Sequence, residues 1–512
     1  MASRHAPGTL ARHAVGPHTW AMAADDEGLR PRSAFFFLNE LKRPERIREW
    51  PGAPWLAVVA VGLGALMSQL DASIVSLAFP TLQRQFHVTM GAVTWIGLSY
   101  LLTVVSTLVM FGRISDMAGR KLIYVYGFVV FMVGSLLCGT APTLTVLLAS
   151  RVLQAIGGAM IQANSVAIVV LSLPPAQRTK GLGFQAAAQA MGLALGPTLG
   201  GILVGLMSWR WLFLVNLPVG LIALPAAMAF IPRSRHLAEP KRLDWPGSAL
   251  IALGVVGILG AFSFSGSLGW TSPGVLGGFV VGIAATVAFF RHEARTSDPL
   301  VAPNLLADPT VRRGLGAASL GYFALFAYLL IVPFEVERGL GDGPATAGLM
   351  LLSLPLAIGI TAPLAGRFAS WLGGRSAALS ASLVGAAGAV VVSVGSDVPA
   401  LLIAGLAIVG VGIGLFNTVN NATVMAAVPA TQTAVGSGLL NTTRGLGTSS
   451  GLAIGSAAFV AFGGSSSIAG VVRHAFLATS LAVGALLALA GWLSWRAGSD
   501  GAEDVSVLSS LD

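Results

Sequence analysis

The sequence predicts an all-α, polytopic membrane protein, and three observations predict it. Of the 512 residues, 55% are hydrophobic and only 10% are charged, against about a quarter charged in an average soluble domain. Apolar runs recur along the whole chain, each long enough to cross roughly 30 Å of hydrocarbon. The Lys and Arg residues are also spread unevenly over the segments between those runs.

The runs read as fourteen helices, at 55–79, 91–111, 122–140, 145–171, 181–206, 211–231, 247–265, 274–290, 314–334, 346–365, 376–395, 399–426, 436–461 and 475–495. An even count puts both termini on one side, and Lys and Arg decide which side. With the N-terminus cytoplasmic, the inner segments hold 24 of the 30 basic residues. The outer segments hold four, Arg84, Arg210, Arg338 and Arg473, and Arg151 and Arg444 fall inside helices. One missed span would scramble that asymmetry. The expected location is the cell membrane (inner or plasma), with both termini cytoplasmic. The net charge of +9 is then a topology signal and implies no nucleic-acid partner.

Residues 1–54 read as a cytoplasmic tail. They lack the apolar core and cleavage site of a signal peptide. Residues 496–512 read as a second cytoplasmic tail. The single cysteine, Cys138, excludes a disulfide framework and a thiol–metal site.

The chain repeats itself. "PPAQRTKGLG" at 174–183 matches "PATQTAVGSG" at 429–438, an offset of 255, and at that offset Gly192, Gly196 and Gly200 fall on Gly447, Gly451 and Gly455. "GRISDMAGRK" at 112–121 resembles "GRFASWLGGR" at 366–375. This predicts two six-helix halves, 55–231 and 314–495, with 232–313 a linker carrying two extra spans. Parallel repeats of this kind mark a class of secondary transporters.

Residues 112–121 are expected to form the turn between helices two and three. Gly112 and Gly119 permit close approach and positive φ. Arg113, Arg120 and Lys121 hold the turn in the cytoplasm. A carboxylate there, Asp116, pairs with the arginines or caps a helix start. The plain alternative is a basic loop with one solvated acid.

Charges inside a membrane are costly, which makes each a functional candidate. Asp71 is the one acid well inside a span. It lies about 13 Å from the outer end of helix one, and Arg151 lies about 10 Å into helix four. At similar depth the two can pair. Burial disfavours a charged carboxylate and a neighbouring cation favours it, so moving Arg151 relative to Asp71 would drive proton uptake and release. A permanent structural salt bridge is the alternative. Arg444 lacks an acid at matching depth; it either meets an anionic group or is satisfied by Asn441, Thr442, Thr443 and backbone carbonyls. Glu335 and Glu337, at the outer end of helix nine, are expected to be solvated.

Helix five carries Gly192, Gly196 and Gly200 on one face, with Pro197 and Gly201 beside them. Small-residue faces let helices approach closely, and this one is expected to form a bendable contact between the two halves. Polar and aromatic residues in otherwise apolar spans are candidates for a cavity lining: Gln69, Trp95, Tyr100, Gln154, Gln185, Gln189, Tyr322, Asn417, Asn421, Asn441 and Arg444.

These motifs carry a resemblance. "GRISDMAGRK" is similar to the signature loop of the major facilitator superfamily. "LDASIVSLAFP" at 70–80 resembles the first-helix motif of its fourteen-span drug:proton antiporter family. "RVLQAIGG" at 151–158 resembles the fourth-helix motif. "GLALGPTLGG" at 192–201, followed by "WRWLFLVNLPVG" at 209–220, resembles the fifth-helix antiporter motif and the entry to helix six. Ala155, Ser76 and Ser370 depart from the pattern, the last leaving the second loop copy without its acid. The resemblance implies the major facilitator fold, proton coupling through Asp71 and Arg151, and export rather than uptake.

The expected activity is proton-coupled export of lipophilic small molecules such as drugs and antibiotics by alternating access. The alternatives are a transporter of one dedicated metabolite and a non-transporting membrane scaffold. With one acid in the interior, a dication would find little compensation. No phosphate-binding glycine loop of the GxxxxGK[ST] type is present, so the proton gradient and no cofactor is the expected energy source. No metal-ligand cluster and no enzymatic constellation is visible. The expected partners are protons, the lipid bilayer and the small-molecule substrate, and the chain is expected to be monomeric.

Overall fold

The computed structural model describes residues 47, 50–174, 177–234, 244–296, 303–429, 433–466 and 468–497. Among them there is no strand. The long helices are α1 (Ala53–Ile74), α2 (Met90–Ala118), α3 (Arg120–Thr140), α4 (Leu144–Ser172), α5 (Arg178–Leu206), α6 (Asn216–Phe230), α7 (Trp245–Leu268), α8 (Pro273–Glu293), α9 (Pro309–Phe334), α10 (Pro344–Thr361), α11 (Gly374–Val394), α12 (Pro399–Ala427), α13 (Thr433–Ala461) and α14 (Ala469–Ala497). Among the described residues, thirteen spans are long and apolar enough to cross a membrane, against the fourteen expected. The long helix outside that set, α13, carries Asn441, Thr442, Thr443 and Arg444.

Local sequence sets the ends. Thr89 and Thr143 accept from the backbone N–H groups of Ala92 and Val146 at the starts of α2 and α4. Asp244 and Asp308 cap α7 and α9 in the same way. Such caps satisfy donors that a helix start leaves orphaned. Beyond α1 a 3₁₀ turn (Val75–Ala78) and a short helix (Phe79–Phe86) extend the first span, and a π-helical turn (Glu335–Leu340) extends α9.

Residues 112–121 do not form the expected turn. Helix α2 runs on through Ala118, and only Gly119, at φ 107°, breaks the chain. Nothing in Arg113–Ala118 stops a helix, whereas that φ suits glycine. At the repeat position Gly373, at φ 78°, ends the short helix Ala365–Leu372.

Helices α1–α6 form one bundle and α9–α14 the other. They meet along α5 with α10 and α2 with α13, and α7 packs on both α2 and α13 with α8 outside it. The glycine face of α5 is not the inter-bundle contact. An added Cβ at Gly192 would strike the Leu66 carbonyl, at Gly196 the Ser73 hydroxyl, and at Gly200 the Ile74 carbonyl, all in α1 of the same bundle. Their repeat partners Gly447, Gly451 and Gly455 lie in the same way on Ser319, Phe323 and Ala327 of α9. Contact with the other bundle falls to Pro197 and Gly201, packed on Pro344 and Gly348 of α10. Helical periodicity puts Gly201 on a different face from Gly192, Gly196 and Gly200.

Candidate functional site

Helix α1 delivers Asp71 and α4 delivers Arg151 to one point, and both are almost wholly shielded, at 0% and 1% exposure. Arg151 Nη1 donates to Asp71 Oδ2 at 2.6 Å. The other carboxylate oxygen accepts from Gln154 Nε2 at 2.8 Å and from Asn216 Nδ2 at 2.9 Å. Arg151 is held further by Nη1 to Gln154 Oε1 at 2.7 Å and Nε to the Ile96 carbonyl at 2.9 Å. Gln154 Nε2 also reaches Ser135 Oγ at 2.8 Å. Tyr100 and Phe213 lay their rings against the guanidinium, 4.3 Å and 5.5 Å from its carbon.

A buried charge is tolerable only when paired and hydrogen-bonded. Here four helices and the Ile96 backbone of α2 supply those partners. Helix α3 can come this close because Gly134 lies on the backbone of Gln154, where any Cβ would clash. The network therefore holds one charge pair tightly, with Gln154 and the Ile96 carbonyl as further acceptors for the guanidinium.

Tyr100 and Gln154, expected in a cavity lining, belong to this network instead. Trp95 is not free to line a cavity either; it stacks on Phe264 of α7 with ring centroids 5.1 Å apart. Apolar windows do not reveal that the extra helix pair docks on that face of α2.

Four other expected lining residues do converge. Arg444 of α13 donates to Gln189 Oε1 of α5, across the bundle interface, at 3.0 Å. It also bonds Asn441 Oδ1 and lies 5.7 Å from the Tyr322 ring. Gln69, Gln185, Asn417 and Asn421 join neither group. The side-chain oxygens of Asn417 and Asn421 are buried without a hydrogen-bond partner.

In the signature loop, the N–H groups of Arg120 and Lys121 donate to Ser234 Oγ, at 2.7 Å and 3.3 Å. Lys121 is buried rather than solvated. Gly112 leaves open space around its Cα. The side chains of Arg113 and Asp116 lie outside the described residues.

At the end of the bundles opposite the termini, Arg84 pairs with Glu337 at 2.8 Å and Arg338 donates to Gln83 at 2.6 Å. Both contacts tie the α1 extension to the α9 extension. Glu335 and Glu337 are not solvated as expected: the Glu335 side chain is 0% exposed, the Glu337 side chain 3%. The π-helical continuation of α9 buries both: Glu337 meets Arg84, and Glu335 lies within 3.8 Å of Arg473 of α14.

Sequence reading missed Asn216, Ser135 and Phe213. Asn216 was visible as a lone amide in "LVNLPVG"; Ser135 and Phe213 gave no signal among so many small and aromatic residues.

The Major Facilitator Superfamily model matches residues 61–246 and 245–452. The chain belongs to that superfamily. It is similar to the multidrug resistance protein Stp of Mycobacterium tuberculosis (30% identical, covering 78% of this chain and 74% of Stp). It resembles the riboflavin transporter RibZ of Clostridioides difficile (30%, covering 80% and 88%). It also resembles the methylenomycin A resistance protein of Streptomyces coelicolor (31%, covering 86% and 91%). A bacterial homolog of the human lysosomal transporter Spinster, solved inward-facing and unoccupied, shares the fold: TM-score 0.63 at 16% identity, covering 88% of this chain and all of that one. As a member of the superfamily this is a multi-pass membrane transporter and not an enzyme.

Proposed function

We propose that the protein exports lipophilic small molecules in exchange for protons across the cell membrane, with both termini cytoplasmic. The observation that carries the reading is the shielded Asp71–Arg151 pair. An acid placed at such cost inside a transporter, beside a cation held by alternative acceptors, is suited to a proton that comes and goes. Protonating Asp71 removes the charge that binds Arg151 to α1. Arg151 then keeps only Gln154 and the Ile96 carbonyl, and α1 is loosened from α4. Because α1 continues into the segment bearing Gln83 and Arg84, loosening it bears on the contacts that close the far end.

The substrate site in this reading is the group Gln189, Tyr322, Asn441 and Arg444. Few polar groups among many apolar ones suit a lipophilic compound. The drug-resistance names of Stp and the methylenomycin protein favour export of toxic compounds. The name of RibZ favours a second reading, transport of one dedicated metabolite.

The test is a set of everted membrane vesicles with an imposed proton gradient and a pH-reporting dye. Addition of lipophilic antibiotics should collapse the gradient in vesicles holding the wild-type chain and not in vesicles holding Asp71→Asn. Wild-type vesicles that respond to a single metabolite and no drug would support the second reading. No response to any compound, with protein shown to be inserted, would refute proton-coupled export.

A further inference from the structure

A cleft of about 540 Å³ lies on the outer helix of the inserted pair, lined by Ala284, Val287, Ala288, Arg291 and His292 of α8 and by Arg295 just beyond its end. It belongs to neither bundle and holds none of the Asp71 network. The opposite face of α8 is spent on α7, where Gly278 and Gly282 meet Gly257 and Ala261. The cleft face looks away from the protein: Ala284, Val287, Arg291 and Arg295 are exposed.

The charges of this cleft are uneven. Arg291 and Arg295 meet no carboxylate and no hydrogen-bond acceptor among the described residues. The nearby acids among the described residues turn inward. Asp244 Oδ1 accepts from the Gly247 N–H and lies 2.9 Å from His292 Nε2, and Glu293 is 3% exposed in the α7–α8 contact. Among the described residues, two guanidiniums without a carboxylate partner therefore cap an apolar wall. From Ala284 to its end at Glu293 the helix climbs about 14 Å, close to one leaflet's share of the roughly 30 Å hydrocarbon core. Trp245, 60% exposed, begins α7 at the same end, as an aromatic anchor does at a membrane interface.

We propose that this cleft binds an anionic phospholipid, with Arg291 and Arg295 on the phosphate and an acyl chain along Ala284, Val287 and Ala288. Basic pockets of this kind beside membrane helices suit lipid head groups, and arginine's planar fork suits a phosphate. A soluble phosphate would use the charges but leave the apolar wall idle. A zwitterionic lipid would leave the two cations uncompensated.

The full-length protein would be titrated with phosphatidylglycerol, phosphatidylcholine or free glycerol phosphate, and adducts read by native mass spectrometry. Wild type should retain phosphatidylglycerol in preference to phosphatidylcholine, and millimolar glycerol phosphate should not displace it. Each arginine near an anionic lipid is worth roughly fivefold, so R291Q/R295Q should weaken retention about 25-fold. R312Q/R367Q, which removes two other arginines, should change it less than twofold. Ala284→Trp keeps both charges, fills the wall and should also lose the lipid; it tests the proposal even where R291Q/R295Q fails to fold. Equal retention in R291Q/R295Q, equal retention of phosphatidylcholine, displacement by glycerol phosphate, or unchanged binding in Ala284→Trp would each overturn the proposal.

Discussion

Gln189 and Arg444 are 255 residues apart in sequence and 3.0 Å apart in space. That interval is the repeat offset of the two halves. Gln83 and Arg338, also 255 apart, meet at 2.6 Å at the far end. Equivalent positions of two repeats meet only where they approach the axis relating them, so these contacts mark that axis down the interface. A ligand between the bundles would meet Gln189 and Arg444 together.

Arg444 is therefore expected to report on the substrate. Arg444→Gln should raise the KM for exported compounds about tenfold, the value of one charge-assisted bond. Gln189→Glu converts the contact to an ion pair and should slow turnover several-fold by holding the bundles together. Both are read from concentration-dependent efflux at matched expression.

The far-end contacts act as a latch in this account. Arg84→Glu alone places two acids together and should raise labelling of a cysteine introduced at Thr81. Combining it with Glu337→Arg should return labelling to the wild-type rate. Arg84 is exposed although Glu337 is buried, so water screens the pair from one side and the change expected is a few-fold rather than complete opening.

The glycine face of α5 is expected to govern folding rather than rocking. Gly196→Val drives a side chain into Ser73 and should cost about 1–3 kcal/mol or more. Gly451→Val, its repeat equivalent against Phe323, should behave alike. The check is the melting temperature in detergent, which should fall for both.

Gln154 and Asn216 each give Asp71 a bond that it cannot replace from water. Leaving a buried charged group short of one partner costs about 1–3 kcal/mol. Asn216→Leu and Gln154→Leu should each reduce proton-driven efflux roughly tenfold or more, while drug binding, which uses the Arg444 group, should change little.

Much of this was legible in the sequence for a physical reason. The places of the long helices, the repeat offset and the depth match of Asp71 with Arg151 all follow from distance along a helix, which the chain states directly; the span count of fourteen does not, because polar α13 is not among the thirteen candidate spans. Which way a helix faces is not stated when nearly every residue is apolar. Trp95 was therefore read as cavity lining although it stacks on Phe264, and Gln154 although it holds Asp71. Gly192, Gly196 and Gly200 were correctly seen as a close-packing face, but the partner helix, α1, depends on tertiary arrangement. The burial of Glu335 depends on a π-helical turn for which the local sequence offers no signal.

The central claim is that Asp71 carries the coupled proton. The most direct measurement compares two modes in proteoliposomes of Asp71→Asn: drug uptake driven by a pH gradient, and drug–drug counterflow without one. The account predicts that gradient-driven uptake is lost while counterflow persists. Gradient-driven uptake at the wild-type rate in Asp71→Asn would contradict it.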